Sequence, residues 1–285
     1  MKIFDSWEIW VIIYLFSAVL FAHLFKNSNR NMKNAGMLTV LLEFWTAIFA
    51  ILFIPFFKIT WPSNPNVYLT LLIVTIIYAL TDRLNIEARY GLDPSTFSML
   101  KQLSTVFMII FGFTFLKEEF LVTRLLGAII IIFANILLTI DNGKMRINKY
   151  FMMAFISNFL FAVAMLINVN ISDYFNLAIY TIMTVSIPAT IITLVGRFKP
   201  KDLIMEFSRY EKFEFLVAAF CWCLMLVSSV KAYQLGDVAL VAPLFALTSI
   251  INAVIEFIFN KNKNRLIQKL LAAILIVLGV ILVKI

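Results

Sequence analysis

The chain alternates long apolar runs with short polar connections. Ten runs reach or approach about 20 residues, the length a helix needs to cross a bilayer core about 30 Å thick. They begin near Ser6, Gly36, Val67, Pro94, Phe120, Lys149, Asp173, Phe213, Val238 and Leu266. They end near Phe25, Phe57, Glu87, Leu116, Ile140, Asn168, Val195, Gln234, Phe259 and Lys284. Most connections are too short for a soluble domain. The longest, Arg197 to Lys212, suits an amphipathic surface helix carrying Leu203, Ile204 and Phe207. The pattern predicts an all-α membrane protein of ten transmembrane helices.

Composition supports the bilayer. Of 285 residues, 62% are hydrophobic and 14% charged, against about 45–50% and about 25% in soluble domains. The excess apolar surface must face lipid. The net charge of +8 sits in the connections, which argues for anionic lipid rather than nucleic acid as its counterpart. Seventeen basic residues fall on the odd-numbered connections and six on the opposite side, with Lys101 inside a helix. The positive-inside rule then puts both termini outside the cytoplasm. Lys2, Asp5 and Glu8 precede the first run and no small-residue cleavage pattern follows it, so that run is expected to stay as a helix.

The chain also repeats itself. Aligned on Ile140 and Ile285, Leu125-Leu126-Gly127-Ala128-Ile129 matches Leu270-Leu271-Ala272-Ala273-Ile274. Upstream, Ala88 to Asp93 (ARYGLD) resembles Ala232 to Asp237 (AYQLGD). Each match precedes a helix expected to open on an Asp N-cap, Asp93-Pro94-Ser95 or Asp237-Val238. Matches in one order and spacing point to two five-helix repeats, residues 1–143 and 144–285, forming one transmembrane domain. Five is odd, so the second copy is inverted, a common transporter plan.

Phe115-Leu116-Lys117-Glu118-Glu119 followed by Leu125-Leu126-Gly127-Ala128, and Pro243-Leu244-Phe245 at the ninth helix, resemble the drug/metabolite transporter superfamily, ten-helix EamA type. Leu92 to Leu116 is similar to the nucleotide-sugar branch, where a fourth-helix lysine contacts the nucleotide phosphate; Lys101 is its counterpart by position. The sequence departs from the family at Glu43-Phe44, where relatives show Arg-Phe, and at Lys261-Asn262, where they repeat the acidic residue. The family's cytosolic termini also oppose the orientation read from charge. The resemblance implies a secondary active exporter or exchanger of a small polar or amphipathic metabolite, working by alternating access. A nucleotide-sugar-type antiporter and a non-transporting scaffold are the alternatives.

A charge at the bilayer centre costs about 2.5–3.5 kcal/mol on insertion scales and marks a functional candidate. Glu43 shares a helical stripe with Thr39 and Thr46. Lys101 shares one with Ser98, Ser104 and Thr105. Lys101 would contact an anionic or zwitterionic ligand, and Glu43 would take a proton or cation or pair with Lys101. Either charge can instead belong to a buried ion pair that merely locks the bundle. Thr248 and Asn252 line one face of the ninth helix, with Glu256 nearer the loop; Asn135 and Asn158 are further candidate contacts. Tyr14, Trp45 and Tyr180 are candidates to stack on a ligand, although packing is the commoner role of an aromatic residue. Asp82, Arg83, Glu87 and Arg89 read as a solvated cluster in preference to a gate.

His23 is the single histidine, and Cys221 and Cys223 point in different directions on one helix, so neither a metal nor a redox site is expected. No nucleotide-binding, metalloprotease or serine-hydrolase motif occurs, and no cofactor or enzyme activity is expected. The expected partners are a small solute, a coupling proton or counter-substrate, the lipid bilayer and, as an open option, a second copy of the chain. Richness in Lys, Asn and Ile suggests an AT-rich microbial genome and a prokaryotic inner membrane.

Overall fold

A computed structural model of the protein describes residues 6–28, 31–104, 106–107, 110–111, 122–141, 144–145, 147–169, 171–236, 241, 244–245, 247–260 and 266–284. Eleven α-helices are bounded among them. In chain order they are α1 (Trp7–Ser28), α2 (Ala35–Ile51), α3 (Pro65–Gly91), α4 (Pro94–Lys101), α5 (Val122–Thr139), α6 (Lys149–Val169), α7 (Leu177–Gly196), α8 (Pro200–Phe207), α9 (Lys212–Leu235), α10 (Leu247–Asn260) and α11 (Leu266–Lys284). Five of these, α1, α3, α6, α7 and α9, are long and apolar enough to cross a membrane. Shorter apolar stretches lie in α2, α5 and α11. A two-residue antiparallel ladder, Ile140–Asp141 with Lys144–Met145, joins α5 towards α6 and spans the expected boundary between halves.

Local chemistry sets several helix starts. The Asn34 side chain accepts from the backbone N–H groups of Gly36 and Met37 at 2.9 and 3.2 Å and opens α2. Asn64 accepts from Asn66 N–H at 3.0 Å before Pro65, and Asn176 accepts from Ala178 and Ile179 at 3.0 Å. Each Asn supplies an acceptor to backbone donors that a helix start leaves unpaired. The seventh run was expected from Asp173. Instead Ser172–Tyr174 is a 3-10 turn, and the helix begins after the Asn176 cap. The second run was expected to reach Phe57. It stops at Ile51, and Pro55 sits in a 3-10 turn over Ile54–Phe56, because proline cannot donate to a continuing helix. Pro188, by contrast, is carried inside α7. The expected surface helix is α8, and Glu206 on it is 2% exposed. Glu206 accepts from the backbone N–H of Lys33 and Asn34 at 2.8 and 3.3 Å, tying α8 to the entrance of α2.

Side chains such as Phe16, Ile73, Phe133, Leu194 and Ile267 point outward from the bundle. In water such a surface would be an association site; here it is the lipid face. Inside, α1 packs on α9, α3 on α6, α2 on α7, α4 on α10 and α5 on α11. Every one of these contacts joins residues before 140 to residues after 148.

The α5–α11 seam explains the small residues in the sequence repeat. Ala128 and Ala134 of α5 meet Ala272 and Ala273 of α11, all 5% exposed or less. Gly279 lies so close to α5 that an added Cβ would sit 2.7 Å from the Gly127 carbonyl oxygen. Small residues permit this approach in lipid, where packing rather than the hydrophobic effect holds helices together. Gly279→Val is therefore expected to lower stability by about 1–3 kcal/mol through overpacking. Leu278→Val, at a side chain 49% exposed to the lipid side, should be near neutral. Thermal melts of both variants in one detergent check the contrast.

The odd-numbered connections converge at one end of the bundle. Lys26 reaches Asp93 at 3.2 Å and the Leu92 carbonyl at 2.7 Å, and Lys269 reaches Asp93 at 3.6 Å. Lys149 pairs with Glu87 at 2.6 Å. At the other end Asn176 donates to the Phe57 carbonyl at 2.8 Å. Asp93 occupies the expected N-cap position of α4, but its carboxylate makes no cap bond; it is committed to the two lysines. Burial acts to raise the Asp93 carboxyl, and Lys26 and Lys269 outweigh it and hold it below the usual value. A lowered carboxyl stabilises the fold above its unfolded value, and that contribution is lost as pH falls through the folded one. Asp93 is 59% exposed, so the effect is at the scale of surface pairs, about 0–1 kcal/mol. Melting temperature should drop modestly on acidification through the carboxylate range. Asp93→Asn should remove that part of the slope, and added salt should shrink it.

Candidate functional site

Between the halves lies a cavity of about 110 Å³, several times the 10–15 Å³ or so that one water needs. α3 contributes Tyr78, Asp82 and Asn85; α4 contributes Lys101; α6 contributes Asn158 and Asn168. Aromatic rings of Tyr14, Phe161, Trp222, Tyr233 and Phe245 complete much of the wall. The site is thus mostly apolar with a few convergent polar groups, the usual make-up of a small-molecule pocket.

Lys101 is the cavity's ammonium. Its Nζ donates to the Tyr14 hydroxyl at 2.9 Å and sits 5.5 and 5.7 Å from the ring centres of Tyr14 and Phe161. The Tyr14 ring stacks on Phe245 with centroids 3.8 Å apart. This fixes the tyrosine that holds the lysine, so a residue of the second half positions two of the first. Asn158 donates from Nδ2 to the Leu100 carbonyl at 3.1 Å, next to Lys101. Asp82 lies within electrostatic reach of Lys101, and no salt bridge within 4.0 Å joins this pair of described residues.

Two clusters flank the cavity along its length. Towards the charged end, Arg89 is 9% exposed and its Nε donates to Asn85 Oδ1 at 2.8 Å. Its guanidinium lies 4.0 Å from the Phe97 ring centre, 4.9 Å from Phe21 and 5.6 Å from Trp222. Trp222 faces the cavity as well, so the cation and the cavity share one ring. On the other flank Tyr180 donates to Asn168 Oδ1, and Asn168 Nδ2 donates to the Tyr78 hydroxyl at 3.0 Å.

Of the residues singled out from sequence, Lys101, Tyr14 and Asn158 meet at this cavity. Glu43, Ser98, Thr248 and Asn252 are buried but do not line it. Thr248 donates to the Phe245 carbonyl at 2.7 Å, which spends its hydroxyl on its own helix. Glu43 lies against Asp82 rather than against Lys101. Trp45 packs among Phe44, Phe49 and Phe207, away from the cavity. Thr105 and the side chains of Asn135 and Glu256 fall outside the described residues. Cys221 and Cys223 are free and buried.

The reading of Asp82 to Arg89 as one solvated cluster is corrected. The third helix does not end at Glu87 but runs to Gly91, so the four charges divide by face. Arg83 points out, Glu87 pairs with Lys149, and Asp82 and Arg89 turn inward. The signal was present in the spacing: Tyr78, Asp82, Asn85 and Arg89 recur at steps of four, three and four, one face of a helix.

Residues 6–140 match the model of the EamA-like transporter family. The matched range is just under half of the chain and is consistent with a member of the drug/metabolite transporter superfamily. The family points to a membrane transporter and to a non-enzymatic role. A crystal structure of a protein 13% identical superposes on 97% of this chain and 98% of its own, with a TM-score of 0.61. At that identity the likeness speaks for the fold alone, but it extends through the second half. No curated protein matches the chain significantly. Every polar cavity residue named above from α3 and α4 lies inside the matched range.

Arg89 offers a direct check on the flanking cluster. Lysine keeps the charge but loses the planar stacking and the directed Nε bond. Arg89→Lys should lower thermal stability by about 0.5–2 kcal/mol, the size of a desolvated cation–π contact. Tryptophan emission should shift with it, since Trp222 borders the guanidinium. An unchanged melt and spectrum would show that the rings contribute nothing to holding the cation.

Proposed function

We propose that the protein is a secondary transporter of a small amphipathic metabolite, exporter or exchanger, with the inter-half cavity as its binding site. The observation that carries this reading is the enclosure of Lys101 and Asp82 in one aromatic-walled cavity without a salt bridge between them. An unpaired ammonium and a carboxyl in the same small space suit a ligand carrying both charges. Lys101 would take a carboxylate or other anionic group, Asp82 an amine, and the rings of Trp222 and Phe245 the apolar part. The volume favours a compact zwitterion over a nucleotide-linked sugar.

Alternating access follows if the two five-helix halves are inverted copies. The packing supports this. Exchanging the halves turns the α1–α9 pair into the α6–α3 pair and returns α2–α7, α4–α10 and α5–α11 to themselves. The ends of α3 and α9, which carry the second sequence match, close with the same backbone bond: Leu92 N–H to Ala88 at 3.0 Å and Gly236 N–H to Ala232 at 2.9 Å. A site at the interface of such repeats is exposed to each side in turn as one half rocks against the other. An integral multi-pass membrane location goes with this reading, and the prokaryotic inner membrane is the proposed compartment.

The test is a thermal-shift screen of the purified full chain in detergent against amino acids, nucleotide sugars, nucleotides, sugar phosphates and cationic drugs. A ligand at 100 times its dissociation constant stabilises by about 2.7 kcal/mol. A zwitterion should shift the wild type, and Lys101→Ala should cut its affinity at least tenfold while the unliganded melt stays within a few degrees. Hits restricted to nucleotide sugars would replace the zwitterion by that class. Unchanged affinity in Lys101→Ala would remove the cavity assignment.

A further inference from the structure

Glu43 is left unexplained by the ligand contacts. It stands at the middle of α2, 1% exposed, and neither of its carboxyl oxygens receives a hydrogen bond. The hydroxyls on its own face are spent elsewhere: Thr39 donates to the Ala35 carbonyl at 2.8 Å and Thr46 to the Ala219 carbonyl at 3.4 Å. What faces Glu43 is the Asp82 carboxyl from α3, within side-chain hydrogen-bonding reach. Two carboxylates are acceptors only and cannot bond one another. A protonated carboxyl brings the missing donor. Two bare negative charges side by side in a poorly solvated interior would also repel strongly.

We propose that Glu43 and Asp82 form a single proton-binding site, holding one proton between their carboxyls, and that this proton is the one coupled to solute movement. The coupling half of this inference rests on the transporter reading above; the proton site itself does not. A metal ion fits the donors less well. Among the described residues no group of three His, Cys, Asp or Glu side chains comes together, and a hard cation such as calcium takes about 6–8 oxygens. A proton needs two.

The surroundings give the pair a direction. Glu43 is sealed behind Asp82, and only Asp82 lines the cavity. The charged groups that act on Asp82 besides Glu43 are Arg89 from α3 itself and Lys101 from α4, and Tyr78 of α3 lies near it too. Tyr14 of α1 and Tyr233 of α9 line the same cavity, and Tyr180 of α7 stands next to Tyr78. The proton therefore leaves and arrives by way of Asp82 and the cavity. A charge that a solute brings into the cavity acts on Asp82 first and is passed to Glu43 as a change in how the proton is shared.

Infrared spectroscopy of the purified full chain tests this without any solute. A protonated carboxyl has a carbonyl stretch above the amide I band, where a carboxylate has none. The wild type should show that stretch at neutral pH and lose it on alkalinisation. Glu43→Gln should abolish or shift it, and so should Asp82→Asn, because each removes one wall of the site. The amide I band of the same spectra reports whether each variant keeps its helices. If a variant does not fold, wild type with ¹³C-labelled glutamate or aspartate carboxyls decides, since the stretch must move with one of the two labels. Absence of the stretch in the wild type, a stretch untouched by both replacements, or one that moves with neither label would overturn the proposal. Such a failure would leave the transporter reading standing on the ligand screen.

Discussion

The interior of this protein is organised around one constraint: an ionisable group taken out of water needs a partner, and four such groups are taken out together. Asp82 is the one that reaches the others. Glu43 lies against it from α2, Arg89 lies two turns along its own helix, and Lys101 comes from α4. Isolated, each charge would cost several kcal/mol to bury. Grouped, they bring opposite charges within reach of one another, and the helices carrying them are held in register. The aromatic residues are part of the same solution. Rings of Tyr14, Phe161, Phe21, Phe97 and Trp222 present their faces to the two cations, which lets a positive charge sit in an otherwise apolar wall.

The cavity inherits its character from this network. It exists where Asp82 and Lys101 approach without pairing, so its polar groups retain capacity for a further ligand. Arg89 at one flank and the Tyr180–Asn168–Tyr78 chain at the other satisfy their neighbours more fully. The difference separates the proposed ligand site, with bonding capacity to spare, from the parts whose bonds are spent on one another. Residues of both halves are needed for either, since Tyr14 is seated by Phe245 and Lys101 by Tyr14.

Much of the bundle was legible because lipid imposes a simple rule: apolar runs of bilayer length become helices. Lys101 and Glu43 stood out for the same reason, as lone charges inside such runs. The rule fails where a helix carries charges inward near its end. Asp82 and Arg89 sit in a polar-looking stretch, and apolar content alone ends the third helix before Gly91. What extends it is tertiary: the inward face meets Glu43, Lys101 and three aromatic rings from other helices, of which Glu43, Phe21 and Trp222 are far away in sequence. The Asn caps at Asn34 and Asn176 were readable in principle, but Asp173 offered a competing start. Asp93 shows the converse. Its sequence position fitted a helix cap, and the lysines of α1 and α11 claimed its carboxylate instead.

Two of the contacts between the halves differ in strength, and that bears on which of the two parts more cheaply. The α5–α11 seam is built from small residues in backbone contact, with Gly279 against the Gly127 carbonyl; separating it exposes packed surface that nothing replaces. The contacts that gather the odd-numbered connections across the halves are ion pairs at partly exposed side chains, Asp93 with Lys269 and Glu87 with Lys149, and Asp93 also holds Lys26 of its own half. Pairs of that kind contribute about 0–1 kcal/mol each, because water and lipid headgroups can take either partner's place. Of these two contacts, the ion-paired end parts more cheaply than the α5–α11 seam. The Arg89 cluster lies beneath it, so any movement there changes the surroundings of Asn85 and Trp222, both of which line the cavity.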